Sequence, residues 1–145
     1  MQADLLDVLT RLASASNIRC MRVTPPFDGL DQFDYGLRKA LDPYFDWQEF
    51  GSLLLQSTPP NTLLFAEGTF ELQFALFRIP DEENAVFMIG PWATAERSEK
   101  SRSWARRHIG EKGDDAVQSY YNGVRILSGS GFQASIVAVV SMMFP

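Results

Sequence analysis

The sequence is poor in the residues that carry most site chemistry. It has one cysteine, Cys20, and one histidine, His108, among 145 residues. A single cysteine excludes an internal disulfide framework. There is no C-x-x-C, no H-x-x-x-H and no EF-hand loop, so no metal and no cofactor are expected. A serine or cysteine nucleophile needs a base, and His108 is the one histidine available. It sits in Arg106-Arg107-His108-Ile109, near the end of a basic helix, where a solvated histidine is the simpler reading. No catalytic residue is assigned, and an enzyme is not expected. Long apolar runs are missing too: Ile136 to Phe144 falls far short of the roughly 20 residues a membrane span requires. The start, MQADLLDVLTRLA, has no basic n-region, so the expectation is a cytoplasmic chain without a leader. Positive charge is also short. The net charge is −5, which repels a phosphate backbone and argues against direct nucleic-acid binding.

What is present is an ordinary globular composition, 46% hydrophobic and 21% charged, and residues 1–145 are read as a single domain. The charge is uneven: residues 1–92 hold 13 acids and 6 bases, and residues 93–145 hold 5 acids and 7 bases.

Leu5, Leu9 and Leu12 space an amphipathic helix over 3–16. IRCMRV (18–23) is a strand candidate, and TPPFDG (24–29) a loop. Phe33, Leu37 and Leu41 put a helix at 31–42, stopped by Asp42-Pro43, and another follows at about 47–57. TLLFA (62–66), FELQFAL (70–76) and AVFMIG (85–90) read as three strands with short connections, an antiparallel meander over about 62–91. In FELQFAL, Phe70, Leu72, Phe74 and Leu76 alternate with Glu71, Gln73 and Ala75, the pattern of a strand with one buried face. Thr94 is the expected N-cap of a helix over 95–109, with Glu96 in its first turn. Gly110 and Gly113 stop it, and Asp114 starts another carrying Val117, Tyr120, Tyr121 and Val124. A last helix, Phe132 to Met143, is apolar almost all round. Strands clustered between helices predict an α+β fold.

Several features invite a functional reading. Gly129-Ser130-Gly131-Phe132-Gln133-Ala134 fits G-x-G-x-x-A, but no βαβ unit follows, so a turn between helices is preferred. Asp81-Glu82-Glu83 and Asp114-Asp115 read as solvated turn or helix-start acids. Arg97, Lys100, Arg102, Arg106, Arg107 and Lys112 read as a solvated helix face, the alternative being contact with an acidic partner or with DNA held by another domain. Cys20 reads as a buried, inert thiol, although Arg19 and Arg22 flank it. Aromatics crowd the meander. Core packing explains most of them, but surplus rings on a sheet face also line small-molecule pockets. Phe65, Phe74, Arg78, Trp92 and Tyr120 are the ligand-binding candidates. Arg78 is read either as a surface residue at a strand end or as an anchor for an anionic ligand.

The stretch 76–96 resembles a known family. Leu76-Phe77-Arg78-Ile79-Pro80, a polar turn, Ile89-Gly90-Pro91-Trp92, then Thr94 and Glu96, is similar to the amino-terminal sensing domain of AraC-type bacterial transcriptional regulators. NTLLFAEGTFELQFALF and Tyr120-Tyr121 also match in position, whereas Val124-Arg125 stands where the family often has a leucine-proline pair. The resemblance covers roughly 62–140 and rests on structural motifs. It implies a PAS/GAF-like sensor: a central antiparallel sheet flanked by helices, often dimeric through its terminal helices. It also implies a DNA-binding helix-turn-helix domain C-terminal to residue 145. The expected function is small-molecule sensing coupled to DNA binding through that domain, with an unknown effector and a homodimer as partners. The alternative is a ligand-free dimerisation module that uses helix 3–16 or 132–144.

Overall fold

The computed structural model describes residues 2–144. Among them the order is α1 (Gln2–Ala15), β1 (Cys20–Val23), α2 (Leu37–Leu41), α3 (Trp47–Ser57), β2 (Leu64–Glu67), β3 (Gln73–Arg78), β4 (Val86–Trp92), α4 (Glu99–Asn122) and α5 (Gly131–Val140). Single 3-10 turns precede α2 and β3, at 30–32 and 69–71. The four strands form one antiparallel sheet in the order β1-β4-β3-β2. The α+β class read from the sequence holds, as do the 62–91 meander and the 18–23 strand. None of the described helices is long and apolar enough to cross a membrane.

The strands β3 and β4 are central, and here the one-sided expectation fails. Along β3 every residue from Phe74 to Phe77 is buried, and along β4 every residue is. Alternate side chains of a strand point to opposite faces, so a strand buried throughout needs cover on both sides. One face packs Val23, Phe74, Leu76, Val86 and Met88 under α2, α3 and α4. The other packs Ala75, Phe77, Phe87, Ile89 and Trp92 under α1 and α5. FELQFAL misled because its small residue, Ala75, occupies the second core as fully as Phe77 does. Its first residues are not strand at all: Phe70 and Glu71 take left-handed backbone angles (φ 59° and 69°), and β3 starts at Gln73.

Other boundaries shift for similar local reasons. The helix expected over 31–42 is broken, because Tyr35 and Gly36 both adopt positive φ (59° and 89°) and leave only Leu37–Leu41 helical. Asp46 caps α3 by accepting the backbone N–H of Glu49 at 3.0 Å. The helix after the sheet starts at Glu99, not 95. Ser98, not Thr94, is its N-cap, accepting the N–H of Ser101 at 3.1 Å. It runs to Asn122 with a kink at Gly110 (φ 80°, ψ 171°), where the sequence placed a stop. Gly90 sits where the β3–β4 register shifts. Its φ is +138°, and a Cβ there would lie 2.7 Å from the Gln73 carbonyl oxygen, so a side chain is excluded.

Two charged residues assigned to solvated faces are inside. Arg97, with a fully buried side chain, donates from Nη2 to Asp114 Oδ1 at 2.8 Å. Arg106 Nε lies 3.4 Å from the second oxygen of Asp114, and the Arg97 guanidinium lies 5.2 Å from the centre of the Phe70 ring. The pair ties the start of α4 to its second half across the kink. Sequence could not show this, because 17 residues separate the partners. Removing one member strands a buried charge, which costs about 3–5 kcal/mol. Arg97→Met is therefore expected to lose that much in urea unfolding, and the double variant Arg97→Met/Asp114→Leu to regain most of it.

Candidate functional site

Between the sheet and the helices of its first face lies a cavity of about 190 Å³. Ala66, Phe74, Leu76 and Met88 supply its sheet side; Phe33, Phe50 and Leu54 supply the opposite side. The rings of Phe50 and Phe74 lie 5.0 and 5.5 Å from that of Phe33. The volume is below the roughly 300 Å³ at which drug-sized pockets begin, so the space suits a compact molecule.

One buried charge interrupts this apolar wall. Asp34 is 4% exposed and lines the cavity from the turn before α2. Its Oδ2 accepts the backbone N–H of Arg38 at 3.0 Å. Its Oδ1 is buried and has no hydrogen-bond partner. Its backbone carbonyl accepts the Tyr120 hydroxyl, which pins the turn to α4. Burial raises the Asp34 carboxyl above its ordinary value, against the opposing pull of the Arg38 N–H and guanidinium and of the backbone N–H groups of Asp34 and Gly36. Arg38 also lines the cavity, but its Nη2 donates to Thr69 Oγ1 at 2.5 Å and its guanidinium lies 5.0 Å from the centre of the Phe45 ring.

The loop through Glu67, Gly68 and Thr69 forms the wall beside Arg38. The same residues face a second space, an open groove of about 440 Å³ bordered by Phe70, Lys100, Trp104 and Arg107. The loop continues into Glu71, whose Oε2 accepts the backbone N–H of Ser98 at 2.9 Å, at the N-terminus of α4. The segment that walls the cavity is thus bonded to α2 at one point and to α4 at another.

Of the five residues selected from the sequence, only Phe74 borders the cavity. Phe65 is on the edge strand β2 and is 40% exposed. Trp92 is buried in the other core, with its ring 5.2 Å from that of Phe132. Tyr120 packs beside the first core and spends its hydroxyl on Asp34. Arg78 is neither a free surface residue nor a ligand anchor. Its Nε donates to the Thr58 carbonyl at 2.6 Å, its Nη1 to that of Glu83 at 3.0 Å, and its Nη2 to that of Leu55. These include carbonyls at the C-terminal end of α3, which have no partner within the helix and form the negative end of its dipole.

The remaining features are placed plainly. His108 is exposed, stacked on Trp104 at 4.4 Å, with Nδ1 2.8 Å from the Trp104 carbonyl. Cys20 is half-buried, and burial pushes its thiol up to about 11, the setting of an unreactive sulfur. Gly129 (φ +84°) turns the chain into α5. Among the described residues no group of three or more His, Cys, Asp or Glu is placed to hold a metal ion.

Sequence reasoning missed Asp34, Phe33 and Phe50 as cavity residues. Asp34 lay inside a stretch read as helix, where an acid is unremarkable. The available signal was Asp34-Tyr35-Gly36, a turn-forming acid two residues before a glycine. No family model, curated protein or solved structure matches the chain.

Two outcomes follow from these assignments. Arg78→Ala removes charged hydrogen bonds to otherwise unpartnered carbonyls. It should lower the unfolding free energy by about 2–3 kcal/mol in a denaturant titration. Asp34→Asn tests the buried charge. A carboxyl whose value is raised by folding favours the protonated fold, so ionisation costs stability at neutral pH and costs none below the unfolded value near 3.9. Asp34→Asn is therefore expected to melt higher than the parent at pH 7, with the difference closing as the pH falls towards 4.

Proposed function

We propose that this chain is the ligand-sensing, regulatory domain of an AraC-type transcriptional regulator, with a PAS/GAF-like architecture. The observation that carries the reading is the cavity itself: three aromatic rings, aliphatic side chains and one buried carboxylate around about 190 Å³, between a central antiparallel sheet and its helices. The resemblance over 62–140 supports the same reading; it implied a central antiparallel sheet flanked by helices, and helices pack on the sheet here.

A ligand shifts a two-state protein only by its differential affinity for the two states. In this reading the sensitive element is the 67–71 loop. A molecule in the cavity touches Gly68 and Thr69, and Glu71 carries any displacement to the N-terminus of α4. DNA binding belongs to a helix-turn-helix domain C-terminal to residue 145. The chain works in the cytoplasm, without a cofactor and without catalysis.

A ligand-free dimerisation module is the second reading, and one observation favours it. The outer helices α1 and α5 pack on each other and leave Val8, Val137 and Met142 exposed, Met142 by 65%. A homodimer through this face is compatible with sensing, so the two readings part on ligand response.

A thermal-shift screen with small cytoplasmic metabolites separates them. A ligand at 100 times its Kd adds about 2.7 kcal/mol, which raises Tm by several degrees at this size. Sensing predicts a dose-dependent rise that Ala66→Leu abolishes, since Ala66 is exposed on the edge strand and borders the cavity. The dimerisation module predicts no response to any metabolite and a Tm that depends on protein concentration until Val137→Glu removes that dependence.

A further inference from the structure

The walls of the cavity between the sheet and α3 divide by polarity. Phe33, Phe74, Leu76 and Met88 are buried, Phe50 and Leu54 are half-buried, and together they make its interior. The charged residues on its border are Asp34, Arg38 and Glu67, and each is engaged with the protein. The Asp34 carboxyl accepts the Arg38 N–H at 3.0 Å and feels the N–H groups of Gly36 and of Asp34 itself, and its Oδ1 is buried. Arg38 donates to Thr69 Oγ1 and lies over the Phe45 ring. Glu67 is exposed, with Oε1 3.4 Å from Gln73 Nε2. Both signs of charge therefore stand at the border. A cation entering beside them meets Arg38, and an anion meets Asp34 and Glu67. Either one leaves its hydration behind among apolar walls. Water fares little better, because a buried water needs about two to four polar partners and the interior side chains offer only the Met88 thioether, a weak acceptor. An uncharged molecule with an apolar surface escapes these penalties and gains the burial of that surface.

An apolar cavity of about 150 Å³ admits a benzene ring, and this one measures about 190 Å³. The rings of Phe50 and Phe74, 5.0 and 5.5 Å from that of Phe33, are spaced as packed aromatic neighbours are, so a further ring among them adds contact of the same kind. Resting on the sensing reading, we infer that the cavity selects a compact, uncharged apolar molecule of single-ring size, held by non-covalent contact with Phe33, Phe50, Leu54 and Phe74 and making no ion pair with the border residues. Affinity here comes from buried apolar area and ring contact, so a charged substituent weakens binding whichever its sign.

Toluene, benzylamine and benzoate share a ring and differ in charge, and naphthalene adds a second ring. All four are titrated onto the chain as it stands, by calorimetry and thermal shift. Toluene is expected to bind, benzylamine and benzoate each to bind about tenfold or more weaker, and naphthalene not to bind. Ala66→Leu narrows the cavity at its border and should remove the toluene response. Leu54→Ala takes away a wall side chain and should admit naphthalene, a gain that a merely unfolded variant cannot produce. Benzylamine or benzoate binding as tightly as toluene overturns the uncharged assignment and leaves the cavity as a ligand site. Naphthalene binding to the parent overturns the single-ring limit. Toluene retained in full by Ala66→Leu, or naphthalene still excluded from a Leu54→Ala protein that binds toluene, places the ligand elsewhere and overturns the assignment too. No response to any probe likewise overturns it, whereas the sensing reading stands or falls on the metabolite screen: a charged metabolite found there upholds sensing and contradicts this inference.

Discussion

Everything in this molecule follows from the pairing of β3 with β4. These two strands occupy the middle of the sheet, and their side chains on both faces are withdrawn from water. A sheet interior of that kind is stable only between two apolar layers, each worth roughly 25 cal/mol for every Å² it covers. The chain supplies the layers from different places. The long connection between β1 and β2, together with α4, covers one face, while the two ends of the described chain, α1 and α5, meet on the other. The result is two cores separated by one sheet, and each inward side chain belongs to one or the other by parity along its strand.

Polar groups drawn into such an interior must find partners, and most of them do. Arg78 leaves the sheet end and closes the C-terminus of α3. Arg97 and Asp114 neutralise each other beneath the start of α4. Tyr120 and Tyr121 donate their hydroxyls to the Asp34 and Ala95 carbonyls. The exceptions are Asp34 Oδ1, Arg19 Nε and Nη2, and Arg102 Nε, which are buried without a hydrogen-bond partner. Asp34 is placed as deeply as Arg97 and Asp114, and it lines the cavity. The two left-handed residues at 70–71 occur in the same neighbourhood, on the loop that walls the cavity.

Much of the architecture was legible in the sequence because it depends on local chemistry. Prolines and glycines marked the loops, the helix expected at about 47–57 is α3 at Trp47–Ser57, and the meander announced itself through short turns between apolar runs. The misreadings share a cause. The one-faced reading of FELQFAL assumed that a small residue faces solvent, whereas Ala75 packs in a second core whose cover comes from residues at both chain ends. Arg78 interrupts an apolar run in the sequence, and that prominence suggested a ligand anchor. Its actual partners, at Leu55, Thr58 and Glu83, are carbonyl groups, which no side-chain pattern reveals.

The sequence by itself determined the α+β class, the meander, the absence of a disulfide framework and the abundance of aromatic side chains, because composition and short-range periodicity govern these. Only the tertiary structure decided which rings surround empty space and which merely pack. Phe74 and Trp92 look alike along the chain, but parity places one toward the cavity and the other against α5. It also decided that Asp34, ordinary in its sequence setting, would be buried, as Arg97 and Asp114 are. Burial and hydrogen-bond satisfaction are properties of what arrives from elsewhere in the chain. Here they depend on α3, α4 and the sheet closing around a turn that two left-handed residues hold open.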